Sequence, residues 1–340
     1  MSRKIKLALV GCGGMGNHHA NTLKTNPDAE IVALCDIRPE AMEKVHRDKL
    51  ENNPAIKRYN TYDELLKHPP ETLDGVLILT PHTLHFEQSM AALEHKLAVL
   101  VEKPMVTASD HARQLWEKVQ QTKGKLQVAF NSTYSQEFAY IRDVLQHDGI
   151  GELQTVTAYS CQGWRNGTRG TWRQDPKLSG GGQMYDSGAH LFNSLAWLMD
   201  RPATEVFCWT DHKGVDVDIN AAITIKWKNP NGSEILGSVT ISGNTPGWQE
   251  GIWIAGEKGR LVTGIHGGRL EHYDAKGGLI KYPPVTQNHY TPSGNFVAWL
   301  LGQAEPRCPI RYGVLHSWLM DALYQSAAEG KPVKLSEPPL

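Results

Sequence analysis

The sequence predicts an N-terminal α/β domain with a doubly wound parallel sheet, followed by an α+β domain built on a large, open, mainly antiparallel sheet. Three observations carry this. Up to about residue 130, apolar strand-like runs alternate with amphipathic helical stretches, the pattern of βαβ units. Runs such as Val76-Leu77-Ile78-Leu79 are apolar without interruption, as strands buried on both faces of a parallel sheet require. From Gly151 the period changes to two. Ile223-Thr224-Ile225-Lys226-Trp227 alternates, and Ile235, Gly237, Val239 and Ile241 share one face, which fits antiparallel strands with one face covered and the other free. At 340 residues the chain also exceeds the size at which single cores stop growing. The expected domains are 1–130 and 131–340, with the last helix a candidate to pack back on the first.

Strands of the first domain are expected at 5–10, 31–36, 56–59, 74–80, 97–102 and 126–130. The first of them ends in Gly11-Cys12-Gly13-Gly14-Met15-Gly16, a helical stretch (18–24) follows, and the second strand closes on Asp36, twenty positions past Gly16. That is the layout of a dinucleotide-binding turn. Gly11 permits the tight turn, Gly13 lets the backbone approach a pyrophosphate, and Gly16 lets the helix pack on the strand. The helix N-terminus offers free N–H groups, and Asp36 suits ribose hydroxyls. Arg38 could reach a 2′-phosphate or stack on adenine, so the expected cofactor is NAD, with NADP the alternative. A glycine turn alone is common in a chain with 32 Gly; the flanking strand, helix and acid make it specific.

The fifth strand runs into Glu102-Lys103-Pro104. Strand ends form the ligand crevice of an open parallel sheet, and the proline removes a backbone donor and fixes the turn. By itself the tripeptide reads equally well as an exposed charged loop. It does not stand by itself. After Gly180-Gly181-Gly182 come Gln183, Asp186, Gly188 and His190. A helix over 183–199 would place Asp186 and His190 one turn apart on one face. Gly188 inside it would cost ~1 kcal/mol against alanine, which implies close packing there. Lys103, Asp186 and His190 are therefore the candidate catalytic groups. Histidine titrates near neutrality and suits a general base, and a lysine suits the charge developing on an alcohol oxygen. The roles of Lys103 and His190 can also be exchanged. The two lie in different domains, and one site would need both.

The loop 164–173 is a candidate substrate wall through Trp164, Arg165, Trp172 and Arg173, with indole faces for an apolar ring face and guanidinium groups for hydroxyls or carboxylates. Arg169 divides evenly between that role and a solvated loop. Further helices are expected near 134–147, 183–199, 290–303 and 312–328, covering one side of the antiparallel sheet. Asn229-Pro230-Asn231-Gly232 and Lys276-Gly277-Gly278 mark hairpin turns.

Composition narrows the function classes. A formal charge of −1 leaves no polybasic footprint for nucleic acid or an anionic membrane. Five scattered cysteines without a Cys-x-x-Cys fit free thiols in a reducing compartment. The N-terminal apolar run of six residues is too short for a signal segment and is needed as a strand. No run approaches a membrane span, and no His-Glu-x-x-His or Cys/His cluster calls for a metal. A cytoplasmic enzyme is the expectation.

Four motifs taken together resemble the Gfo/Idh/MocA oxidoreductase family, named for glucose–fructose oxidoreductase, inositol dehydrogenase and a rhizopine-catabolism protein. They are the turn at 11–16, Thr80-Pro81-His82-Thr83-Leu84-His85, Glu102-Lys103-Pro104, and Asp186-x-x-x-His190 after a glycine run. They fall in the family's order, and the closing stretch 324–335 also resembles the family's last helix and strand. Three positions depart from its pattern: His82 in place of Asn, Ser132-Thr133 after Asn131, and Asn193 where many members carry Asp. The resemblance implies that Gly14, Met15, Thr80, Pro81, His82, His85 and Glu102 join the cofactor site, and that Asn131 and Asn193 lie near the substrate. It also implies a cis Lys103–Pro104 bond and a homodimer or homotetramer built on the second sheet. The implied activity is hydride transfer between NAD(P) and a secondary hydroxyl or keto group of a sugar, sugar derivative or inositol. Relatives also include redox-assisted glycoside lyases and hydrolases that retain the cofactor, and non-catalytic sugar sensors.

Overall fold

A computed structural model describes residues 3–281 and 291–340. The chain divides into two compact units: residues 1–106, 110–129 and 290–311, and residues 107–109, 130–289 and 312–340.

The first unit is laid down as β1 (Ile5–Val10), α1 (Gly14–Leu23), β2 (Ala29–Cys35), α2 (Pro39–Lys49), β3 (Lys57–Tyr59), α3 (Tyr62–Lys67), β4 (Gly75–Ile78), α4 (His85–Glu94), β5 (Ala98–Val101), α5 (Ser109–Thr122) and β6 (Leu126–Val128). Its six strands lie in the order β3-β2-β1-β4-β5-β6, and every pair is parallel. The order reverses between β1 and β4, so the carboxyl ends of these two strands flank the crevice of a doubly wound sheet. Strands β4 and β5 are buried at every position, as continuous apolar runs demand. Strands β4 to β6 end one to two residues earlier than expected, leaving Thr80 and Glu102 in the loops that follow.

The second unit comprises α6 (Gln136–Gln146), β7 (Leu153–Gln162), α7 (Trp164–Gly167), α8 (Pro176–Ser179), α9 (Gly188–Met199), β8 (Glu205–Asp211), β9 (Asn220–Lys228), β10 (Glu234–Ser242), β11 (Trp248–Gly256), β12 (Gly259–Thr263), β13 (Leu270–Asp274) and β14 (Leu279–Ile280). After α10 (Pro292–Leu300), the chain closes with α11 (Ile310–Glu329) and β15 (Val333–Lys334). The sheet order is β14-β13-β12-β11-β7-β10-β9-β8-β15, antiparallel except for β10 beside β7. Burial alternates along β9 and β10 as the period-two pattern requires. The outward face leaves Tyr159, Trp209, Leu236 and Trp253 exposed.

Two expectations about helices are corrected. Helix α10, expected to cover the second sheet, belongs to the first unit, where Phe296 and Val297 join the core cluster around Leu7, Leu77 and Leu100. The Gln127 side chain holds its first turn there, Nε2 donating to Pro292 O at 3.1 Å, and the segment after the helix is tied to the same sheet by Val128 N donating to Cys308 O at 3.0 Å. From Tyr312 on, the last helix groups with the second unit, so α10 is the returning element. Residue 290, the expected first position of α10, and Met1-Ser2 lie outside the described residues; the helix starts at Pro292 behind a Thr291 cap.

The second correction concerns α9, which begins at Gly188 and not near Gln183. Residues 183–187 form a wider turn, in which Gly188 N bonds Gln183 O at 2.8 Å. A Cβ at Gly188 would lie 2.9 Å from that oxygen, which explains the glycine without any helix interior. Asp186 therefore sits in the turn and His190 in the first turn of the helix.

Candidate active site

At the dinucleotide turn of the first unit, Gly11 has φ +98°, and a Cβ there would lie 2.7 Å from Leu79 O. A Cβ at Gly16 would meet Gly11 O at 2.5 Å, so close strand–helix packing excludes a side chain. Gly14 faces open space, a Cβ at Gly13 would meet only the Arg38 guanidinium at 4.0 Å, and the N-cap at Gly13 makes no side-chain capping bond. Met15 packs partly buried against the unit's core. Asp36 accepts from Cys12 N at 2.7 Å through one carboxylate oxygen and from Arg38 N at 2.9 Å through the other. A carboxylate has about four lone-pair positions, so both oxygens keep capacity for ribose hydroxyls. Arg38 Nε lies 3.5 Å from Asp36 Oδ1, and the neighbouring Ile37 is 82% exposed, an apolar surface that the sequence reading missed. These residues fit a bound dinucleotide. The Cys12 and Cys35 thiols are pushed up to about 12 by burial and by the Asp36 carboxylate, so both are inert.

The two strand-end loops are braced by histidines. His85 is fully buried, its Nε2 2.8 Å from Thr80 O and its Nδ1 2.8 Å from Pro104 O. Burial pushes this imidazole below its ordinary value despite the two carbonyls, and a neutral ring donates to one of them at a time. The ring is thus a strut between the Thr80-Pro81 and Lys103-Pro104 loops. His82, beside it, is 3% exposed, and the ring centroids are 6.0 Å apart. The Lys103–Pro104 peptide is cis. Lys103 N donates to Glu102 Oε2 at 3.1 Å, and His19 Nε2 lies 3.1 Å from Glu102 Oε1, with Glu102 6% and His19 1% exposed.

Burial alone would raise the Glu102 carboxyl. The His19 hydrogen bond, the charges of His19 and Lys103, and the Lys103 N–H outweigh it and hold the group below the usual carboxylate range. A folded value below the unfolded one means stability that is complete above the unfolded value, about 4.3, and is lost as pH falls through the folded one. Urea midpoints measured across the acid range should therefore fall less steeply in Glu102→Gln than in wild type. Parallel curves would show that Glu102 does not carry this linkage.

In the second unit, Asp186 is 5% exposed, and its Oδ2 receives two donors: Trp164 Nε1 at 2.7 Å and Arg173 Nε at 3.0 Å. This changes the assignment of the 164–173 loop. Trp164 is 4% exposed, packed with Val217 and Ile219, and so cannot be an open wall; its indole positions Asp186. Arg173 lies over the Trp172 ring, 4.5 Å from its centroid, while bonding Asp186. Arg165 is half-buried, with an Nε that makes no hydrogen bond within the protein. Arg169 is exposed, Asn131 begins a 3₁₀ turn at the surface, and Asn193 is fully buried on α9. The His190 ring stands edge-on to Phe130, centroids 6.4 Å apart, and 4.7 Å from the His266 ring.

The glycine run is held by a residue that no motif announced. Asp218, 2% exposed, accepts from Gly182 N at 2.7 Å, Met184 N at 2.8 Å and Tyr324 Oη at 2.5 Å. A Cβ at Gly182 would lie 1.9 Å from Asp218 O, so position 182 must be glycine to sit against this residue. Asp218 thereby sets the turn that carries Asp186.

A family model described as "Oxidoreductase family, NAD-binding Rossmann fold" matches residues 5–130, and one described as "GFO/IDH/MocA C-terminal domain" matches residues 138–262. The chain is 27% identical over 206 residues to the rhizopine catabolism protein MocA of Rhizobium meliloti, covering 59% of each chain. It is 26% identical over 211 residues to D-glucoside 3-dehydrogenase of Escherichia coli (strain K12), covering 60% of this chain and 56% of that protein. The match thus spans under three fifths of the length of both relatives. Among solved structures, the WlbA dehydrogenase of Bordetella pertussis, crystallised with NADH and UDP-GlcNAcA, shares the fold at a TM-score of 0.85 and 22% identity, over 98% of this chain and 100% of that one.

Proposed function

The chain belongs to the Gfo/Idh/MocA oxidoreductase family, and on that premise we propose that it is an NAD-dependent dehydrogenase or reductase acting on a secondary hydroxyl or keto group of a sugar, sugar derivative or cyclitol. The observation that carries this reading is the pinned turn ahead of His190. Asp186 is fixed there by Trp164 and Arg173, and the turn itself by Asp218. A turn fixed from both sides holds its side chains at low reorganisation cost, as positioned acid–base chemistry requires.

A bound nicotinamide would supply the hydride acceptor or donor. Gly11, Gly13, Gly14 and Gly16 would hold the pyrophosphate, Asp36 the ribose and Ile37 one face of the adenine. His190 takes the hydroxyl proton as general base. Lys103 is proposed as the donor that offsets negative charge developing on an alcohol oxygen. Asp186, with one carboxylate oxygen held by two donors, orients the substrate or the imidazole from a fixed position. Lys103 N is anchored on Glu102 and Pro104 O on His85, which fixes the backbone on both sides of the lysine. The exposed Tyr159, Trp209, Leu236 and Trp253 on the outward face of the second sheet support a homodimer or homotetramer built there. Among the described residues no helix is long and apolar enough to cross a membrane, and the five free cysteines support a cytoplasmic location.

The test is a panel of aldoses, polyols and inositols with NAD and NADP, followed at the reduced-nicotinamide absorbance. Turnover with at least one cyclic polyol, and preference for NAD, are expected; Asp36→Ser should move the preference toward NADP by removing the carboxylate that repels a 2′-phosphate. Product formation with no net change in absorbance would replace the dehydrogenase reading with a cofactor-retaining lyase or hydrolase. Tighter binding of NADP by wild type would overturn the NAD assignment.

A further inference from the structure

The second unit builds another imidazole beside His190. Glu250 on β11, its side chain 15% exposed, accepts from three donors: the Trp248 indole N–H at 2.9 Å, the backbone N–H of His266 at 3.2 Å, and His266 Nδ1 at 2.9 Å. Burial would raise this carboxyl, but the His266 and Trp248 bonds hold it below its ordinary range. The loop carrying His266 is shaped to the carboxylate, since a Cβ at Gly264 would lie 2.8 Å from Glu250 Oε1. Ser194 Oγ donates to Ile265 O at 3.0 Å and so ties the loop to α9, the helix that carries His190. The His266 ring centroid consequently sits 4.7 Å from that of His190 and 5.8 Å from that of Trp248.

A carboxylate only accepts, so the ring nitrogen facing Glu250 carries a proton. In the neutral ring the lone pair then belongs to Nε2. The side chain of His266 is 33% exposed and Trp248 is 49% exposed, so both offer surface to a ligand. We propose that Glu250 and His266 form a specificity pair, in which His266 Nε2 accepts a hydrogen bond from the hydroxyl next to the reacting one, and the Trp248 face covers the C–H face of the same ring. The substrate class is a ring with free vicinal hydroxyls, because two imidazoles this close span neighbouring oxygens and not distant ones. This rests on the assignment of His190 to the reacting hydroxyl. Glu250 is the positioning residue of the pair.

The test compares wild type, His266→Phe and Glu250→Gln on D-glucose, 2-deoxy-D-glucose, 4-deoxy-D-glucose and myo-inositol, with thermal midpoints measured alongside. Loss of one hydrogen bond is worth about tenfold. His266→Phe should raise KM for the full polyols about tenfold with kcat within threefold. The deoxy sugar lacking the contacted hydroxyl should show that penalty already in wild type and no further one in the variant. In protein labelled with ¹³C and ¹⁵N at histidine, the His266 ring signals should move on addition of D-glucose or myo-inositol, and its nitrogen shifts should report Nδ1 protonation that Glu250→Gln weakens. Equal penalties across all four compounds, or His266 signals indifferent to both rings, would overturn the proposal. Full kcat in His190→Ala alongside the deoxy pattern would remove the base assignment and leave the specificity pair standing.

Discussion

Replacing His190 with alanine should lower kcat by about two to four orders of magnitude, the span of a positioned general base, while NAD affinity stays within a factor of a few. The imidazole belongs to the second unit, and the glycine turn that suits the pyrophosphate belongs to the first. Lys103→Ala should lose about two to three orders of magnitude, as removal of one oxyanion donor does elsewhere, again with cofactor affinity retained. The double variant is the discriminating measurement. If the two groups serve one transition state they are not additive, and its loss falls far short of the product of the single losses. Stopped-flow turnover with fluorescence titration of the cofactor separates the two readouts. Wild-type kcat in His190→Ala would return this residue to a structural role, and a fully multiplicative double variant would assign the two groups to independent steps.

Replacing Asp218 with alanine should have the largest effect on stability, roughly 3–5 kcal/mol in urea unfolding. Three donors bond this carboxylate, two of them backbone N–H groups of the glycine run. Alanine leaves them unsatisfied in a place that water does not reach. Asp218→Asn should recover part of the loss but not all. One oxygen serves Gly182 and Tyr324 and the other serves Met184, so an amide must turn its NH₂ toward one of these donors. Activity should fall with stability in both variants, because Asp186 rides on the same turn. If Asp218→Ala matched wild type in urea midpoint, the bonds to the glycine run would contribute nothing net.

The sequence carried the parts of this molecule whose physical requirement is local. Positive φ at Gly11, close approach at Gly16, an acid just past β2 and a lysine just past β5 are each demanded within a few residues, and a short motif records the demand. Period-two and continuous apolar runs likewise recorded which strands are covered on one face or on both. The stretch 183–187 looks helical in sequence for a local reason too. A wide turn closed by a bond from Gly188 N to Gln183 O presents apolar residues at nearly helical spacing, and periodicity cannot separate the two. Position 264 and its neighbours offered one unused signal, a histidine among three glycines.

Tertiary structure decided what joins distant segments. Trp164 reaches Asp186 across 22 positions, Asp218 reaches Gly182 across 36, and Glu250 reaches His266 across 16, between separate strands and loops. The residue types gave no warning, since a tryptophan or an aspartate in a loop is ordinary until the sheet register and the loop path bring it to its partner. Helix α10 joined the first unit because its apolar side chains found a matching core there, a choice set by shape and not by composition. The sequence alone therefore determined the fold class and the dinucleotide turn, and it singled out Lys103, Asp186 and His190 as the candidates that the variants above test. The folded chain determined how Lys103, Asp186 and His190 are held, because hydrogen bonds and packing act through distance in space, which spacing along the chain does not encode.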